Sequence, residues 1–246
     1  MTYHQPKIPK TQLPDKSLYT QHIIKEHIGL NRNWNQGYYR IVSIDPGRKN
    51  LAIRIETRSY DSKTVYTEVL EKYDIEDYIC DDINVGKETY IYDTINEILN
   101  YYMPLILQSH FIIIERQMTI NYRMVRISQA IISFFLLMLK SAIYGPLIYE
   151  VSSKLKTKML DAPKGLNPKD TKKWAVDLAL LILQFRGDSE SYTKIQNAPA
   201  SKKDDYSDVV VQIEALFKYL GLSTTFDYMN ITVTSSKFSL SANIPP

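Results

Sequence analysis

The chain has 246 residues, 44% hydrophobic and 23% charged, with 30 Lys and Arg against 27 Asp and Glu for a formal net charge of +3. This is ordinary globular composition, long enough to bury one sizeable core, and it excludes a collagenous or wholly disordered chain. The single cysteine, Cys80, excludes an intramolecular disulfide and a Cys-rich zinc site and points to an intracellular protein, while the longest uncharged apolar run, residues 130–139, is shorter than the roughly 20 residues of a membrane-spanning helix.

Residues 1–37 scatter Pro, Gln, Asn and Lys around one short amphipathic piece at 22–30 and read as an arm outside the core, without the pattern of a secretory signal. A buried strand is predicted from Tyr39 to Asp45, where Pro46-Gly47 breaks it, and a second strand over 51–57. Residues 58–63 have turn character, and the alternation over 65–71 predicts a third strand in an antiparallel meander. A helix follows over 88–103, ended by Pro104. Phe111-Ile112-Ile113-Ile114-Glu115 is a short apolar run of the kind that fills a central strand, with Glu115 at its C-terminal edge. Helical spacing over 121–142, then Gly145-Pro146 and the apolar stretch 147–151, give helix, turn and strand. Asn167 and Pro168 open a helix that runs to Gly187, and a polar loop over 188–203 leads to a last helix that stops at Gly221. The Ser/Thr-rich tail, residues 222–246, yields no assigned element. Three strands followed by helices alternating with strands predict an α/β fold with a mixed sheet covered on both faces, in one domain over 38–221.

Three separate elements end or begin with carboxylates. Asp45 closes the first strand, Glu115 the fourth, and Asp205 with Asp208 stand three apart near the start of the last helix, hence on one face. Each alone has a plainer explanation: a turn residue at Asp45, an ion pair with Arg116 or Arg123 at Glu115, a complement to the helix dipole at residues 204–208. Together, in this order, they match the needs of Mg2+, which takes oxygen ligands and keeps several waters. Two such ions about 4 Å apart activate water and stabilise the leaving oxygen in phosphodiester hydrolysis.

Ser43-Ile44-Asp45-Pro46-Gly47-x-x-Asn50-Leu51-Ala52, Ile113-Ile114-Glu115-Arg116-Gln117 and Lys202-Lys203-Asp204-Asp205-x-x-Asp208 resemble motifs of the RuvC-type Holliday junction resolvases, nearest to the poxvirus and fungal mitochondrial branch. The likeness spans roughly residues 39–220. It implies an RNase H-like fold and metal ligation by Asp45, Glu115, Asp205 and Asp208, with Asp204 an adjacent spare. Bacterial members often carry His at the position of Asp205, which leaves that residue's division between ligand and proton acceptor open. The resemblance further implies a homodimeric endonuclease in DNA recombination that hydrolyses four-way junctions with Mg2+, or Mn2+ in its place, in a viral cytoplasmic replication site or a mitochondrial matrix.

Charge supports a nucleic-acid partner. Residues 154–173 hold seven Lys against two Asp, and Arg116, Arg123 and Arg126 follow Glu115 without an intervening acid. With Lys154, Lys156, Lys158, Lys202 and Lys203 they form the expected phosphate-contacting set. The apolar helix over 127–139 serves equally as core or as a two-fold interface. Competing functions are another RNase H-like nuclease acting on flaps, hybrids or mobile-element ends, a non-catalytic junction- or RNA-binding relative, and an actin-like phosphatase; only eight Gly disfavour the last.

Overall fold

The computed structural model of the chain describes residues 37–78, 87–140, 145–229, 231–233 and 240–242; the arm over 1–36, Cys80 and parts of the tail lie outside them. The main strands are β1 (Tyr38–Asp45), β2 (Leu51–Ser59), β3 (Val65–Tyr73), β4 (Phe111–Arg116) and β5 (Leu147–Ser152). They form one sheet in the order β3-β2-β1-β4-β5, antiparallel among the first three strands of the chain and parallel across β1, β4 and β5. The helices are α1 (Lys87–Tyr101), α2 (Met103–Ile106), α3 (Tyr122–Met138), α4 (Lys154–Met159), α5 (Pro168–Arg186), α6 (Ser189–Asn197) and α7 (Lys203–Leu220). This is the expected α/β architecture, an RNase H-like mixed five-stranded sheet with helices on both faces.

The central strands are apolar on both sides because both sides are covered. Val42, Ile44, Ile112 and Ile114 pack with Ile91 and Ile95 of α1 and Ile131 and Phe135 of α3. On the opposite face Ile41, Phe111 and Ile113 meet Ile213, Leu216 and Phe217 of α7. Trp174, Leu178 and Ile182 of α5 then pack with Val209 and Val210 of α7. Each such aliphatic side chain contributes about 1.5–3 kcal/mol on leaving water, so α7 is held from both sides. Its end is fixed locally: Gly221 adopts φ 69°, a left-handed conformation that costs other residues more.

Local signals set most boundaries. Asn167 accepts a hydrogen bond from the Asp170 backbone N–H and caps α5, and Gly187 at φ 69° ends it. Pro104 sits in the first turn of the short α2, so α1 stops just before it. Besides the short α2, two helices depart from the sequence reading. The supposed polar loop contains α6, which is capped by Asp188 and buries Ile195; one buried apolar side chain is too little periodicity to reveal a helix. The lysine series after β5 forms α4. Beyond Gly221, Thr224 and Asp227 close a capping box on a 3-10 turn, Thr225–Tyr228, and two short antiparallel strands follow, β6 (Ile231–Val233) and β7 (Leu240–Ala242).

One polar feature lies inside the fold. Arg54, Glu56 and Arg58 alternate along β2 and so share a face, and all three are buried. Arg54 and Arg58 donate to Glu56 at 2.7 and 2.8 Å. Arg58 also donates to Glu214 of α7 at 2.7 Å, and Arg186 of α5 pairs with Glu56 at 3.1 Å and with Glu214. Glu214 accepts the Phe226 backbone N–H at 3.1 Å, which ties the 3-10 turn to α7. Burial alone raises the Glu56 carboxyl pKa, but Arg58, Arg186 and Arg54 overcome it and hold the group well below the usual carboxylate range.

Candidate active site

Sheet register brings the first two carboxylates together. Ile44 pairs with Ile114 across the parallel β1 and β4, so Asp45 and Glu115 are the next residues of neighbouring strands at the same sheet edge. Both share a face with Ile41 and Ile113, the side covered by α7. Beneath Asp45 the chain turns tightly: a Cβ on Gly47 would lie 2.6 Å from the Asn50 carbonyl oxygen. The Ile75 N–H donates to the Arg48 carbonyl at 2.8 Å and closes the other side of this loop.

The first turns of α7 bring Asp205 and Asp208 to the same place. Lys156 of α4 donates to Asp208 at 2.6 Å and lies 3.4 Å from Glu115, bridging strand and helix carboxylates. Asp204, one residue off this face, pairs outward with Lys172 at 2.5 Å. Lys72 of β3 donates to the Asn50 side-chain oxygen at 2.8 Å and stands 3.8 Å from Asp205 Oδ2. That oxygen is buried and accepts no hydrogen bond.

The electrostatics follow from burial and crowding. Burial, then the charges of Glu115 and Asp208, push the Asp45 carboxyl pKa well above its ordinary value. Burial, then Asp204, push Asp205 up to about 7, with Lys72 opposing. Glu115 is raised by burial, opposed by Lys156. For Lys156 burial favours the neutral amine, but Asp208 and Glu115 outweigh it and keep the ammonium charged far above neutral pH. Four acids around two lysines thus leave an excess of negative charge in a poorly solvated place.

The donor set is all oxygen, which suits a hard divalent cation, and the unengaged Asp205 oxygen offers it lone pairs. Among the described residues no three His, Cys, Asp or Glu groups are drawn close enough to enclose an ion. The residues fit such an ion in chemistry and charge, with the Lys156 ammonium lying between two of the acids.

The basic residues separate into different roles. Sequence reading groups Lys156 with Lys154 and Lys158, but on a helix residues 154 and 158 share a face and 156 points away from it. Lys154 and Lys158 are exposed; Lys156 is buried against the carboxylates and is no surface phosphate contact. Its inward side is legible afterwards, since Leu155 and Met159, which pack on the core, flank it on the helix. Lys72 and Asn50 also escape the sequence reading as site residues. Arg116 is exposed and pairs with Glu150 at 3.0 Å. Arg126 lies over the Tyr92 ring and, with Arg123 and Arg48, lines a small depression beside the Asp45 loop. Lys202 is exposed before α7, and Lys203 donates to the Gln196 carbonyl at 2.6 Å.

No protein-family model matches the chain. It is 34% identical over 106 residues to an uncharacterized protein, 97L, of Invertebrate iridescent virus 3, a match over 43% of this chain and 47% of that protein. The chain thus spans about half the length of that relative. The crystal structure of the fowlpox virus Holliday junction resolvase aligns over 74% of this chain and 99% of its own, with 16% identity and a TM-score of 0.44. The crystal structure of the yeast mitochondrial Holliday junction resolvase aligns over 87% of this chain and 96% of its own, with 16% identity and a TM-score of 0.56. The chain therefore has the RNase H-like α/β fold of the yeast mitochondrial Holliday junction resolvase.

Proposed function

We propose that the chain is a RuvC-type resolvase, a structure-selective endonuclease that hydrolyses four-way DNA junctions and leaves phosphate on one side of each cut and hydroxyl on the other. The observation that carries this reading is the convergence of Asp45, Glu115, Asp205 and Asp208, from β1, β4 and α7, around the buried ammonium groups of Lys72 and Lys156. The fold shared with a junction resolvase supports it. Asp45, Glu115, Asp205 and Asp208 would hold one or two Mg2+ ions, which when bound supply positive charge to the phosphodiester in its transition state. Lys156 orients Glu115 and Asp208 and keeps a fixed positive charge at the reaction centre. Lys154, Lys158, Lys202, Lys203, Arg116, Arg123 and Arg126 offer cations to the phosphates of the junction arms.

Paired cuts need two sites related by two-fold symmetry, so the enzyme acts as a homodimer. Ile127, Ile131 and Phe135 of α3 are core, but Leu136 and Leu137 at its end are 60% and 73% exposed and supply the apolar part of the interface. Glu at both positions gives a folded monomer by sedimentation; an unchanged dimer moves the interface elsewhere. Cleavage of a synthetic four-way junction with Mg2+, beside matched duplex, flap and hybrid substrates, tests the whole reading. Junction cutting that exceeds the others supports it, and preferred flap or hybrid cutting makes the chain another nuclease of the same fold.

A further inference from the structure

The Asp-Pro-Gly turn ends in Asn50, which the nuclease reading leaves without a task. Its side-chain oxygen accepts the Lys72 ammonium at 2.8 Å. Lys72 reaches this point from β3, two strands away from β1, and its side chain is only 6% exposed, which excludes it as a contact for DNA in solvent. The loop that presents Asn50 is fixed from below by the close approach at Gly47 and from the side by the Arg48–Ile75 hydrogen bond.

The chemistry of the acceptor matters. An amide oxygen orients an ammonium without neutralising it, whereas an aspartate at the same place would consume its charge. The charge of Lys72 is therefore left for Asp205 and, less strongly, Asp74; the Asp205 Oδ2 lies 3.8 Å away, too far for a hydrogen bond. Lys156 by contrast donates directly to Asp208 at 2.6 Å. Asp205 thus faces this charge while its Oδ2 accepts no hydrogen bond.

We infer that Asn50 and Lys72 form a positioning pair, in which Asn50 fixes the Lys72 ammonium and the ammonium sets the Asp205 carboxylate for metal ligation. The inference rests on the nuclease reading above. Neither residue touches the reacting atoms; Asn50 acts through Lys72 and Lys72 through Asp205.

The test measures Mn2+ binding to the full-length chain without DNA by calorimetry. Asn50→Ala and Lys72→Met each weaken it, by roughly tenfold or more as for residues that orient metal ligands. The double variant is no worse than Lys72→Met, because both changes break one chain of contacts, and Lys72→Arg recovers part of the loss. Junction affinity without metal stays unchanged while the single-turnover cutting rate falls. Unfolding curves verify that each variant folds, and Asn50→Ala keeps the test decisive if Lys72→Met does not. Unchanged or tighter Mn2+ binding in folded Asn50→Ala overturns the pair and leaves the nuclease standing. A wild-type chain that binds no Mn2+ and cuts no junction overturns both.

Discussion

Helix α7 carries buried charge at both ends, and the two ends behave differently. Toward its C-terminus Glu214 enters a network in which three arginines, Arg54, Arg58 and Arg186, face Glu56, Glu214 and the nearby Asp188. Charge there is balanced, and the arginines hold the Glu56 carboxyl well below the usual carboxylate range. Toward its N-terminus Asp204, Asp205 and Asp208 join Asp45 and Glu115, and among the described residues these five acids meet Lys72, Lys156 and the exposed Lys172. Negative charge is in excess, and two of the acids are pushed far upward. Residue types are similar in both places; the balance of charge is what marks one region as structural and the other as the proposed seat for a cation.

The sharpest break of this contrast is Asp45→Asn. Losing this proposed metal ligand lowers junction cutting by about 10³-fold or more while DNA binding persists. The same change relieves repulsion in the metal-free protein, so its thermal midpoint rises by roughly 2–4 °C for each kcal/mol relieved. Retained cutting removes Asp45 from the site. In the balanced network the sign reverses: Glu214→Gln leaves Arg58 and Arg186 to share Glu56, an uncompensated buried charge that costs about 3–5 kcal/mol in urea unfolding, partly recovered by adding Arg58→Met. A loss below about 1 kcal/mol means that hydrophobic packing alone sets α7.

pH separates the two regions as well. Asp205 is raised from its ordinary 3.8 to about 7, so the folded metal-free state holds that proton more tightly than the unfolded state. Its contribution to stability is fully present below pH 3.8 and is lost as pH rises through about 7. Glu56 is depressed from 4.5, so its contribution is present above that value and is lost as pH falls through its depressed folded value. Asp205→Asn therefore flattens the decline of metal-free stability between about pH 4 and 7, read as urea midpoints. An identical decline in the variant assigns it to another group.

The smallest effect concerns the surface of α4. Replacing exposed Lys154 and Lys158 with Ser flattens the salt dependence of junction binding by up to about one unit of slope for each lost phosphate contact. The slope stays as it was if the DNA runs elsewhere. Neither replacement alters metal binding, whereas Lys156→Ser does, because only that lysine of the three touches the carboxylates.

The linear chain determined the sheet, its central apolar strands, the caps at Asn167, Gly187 and Gly221, and the candidacy of Asp45, Glu115, Asp205 and Asp208. These rest on local rules: side-chain period, turn chemistry and the three-residue spacing of one helix face. Arg54 and Glu56 alternate within the predicted second strand, but Arg58 falls in the predicted turn because β2 runs on to Ser59, and nothing local named Arg186 and Glu214 as partners. α4 and α6 escaped because one or two turns carry too little periodicity to stand out. What tertiary structure alone decided is the division among lysines that look alike in sequence. Lys72, Lys156 and Lys172 each meet one acid of the α7 start, from β3, α4 and α5, and only packing brings those elements to one place. The physical reason is range: helix and strand patterns are fixed by neighbours a few residues apart, whereas a buried ammonium finds its carboxylate 41 to 133 positions away only after the hydrophobic faces between them have closed.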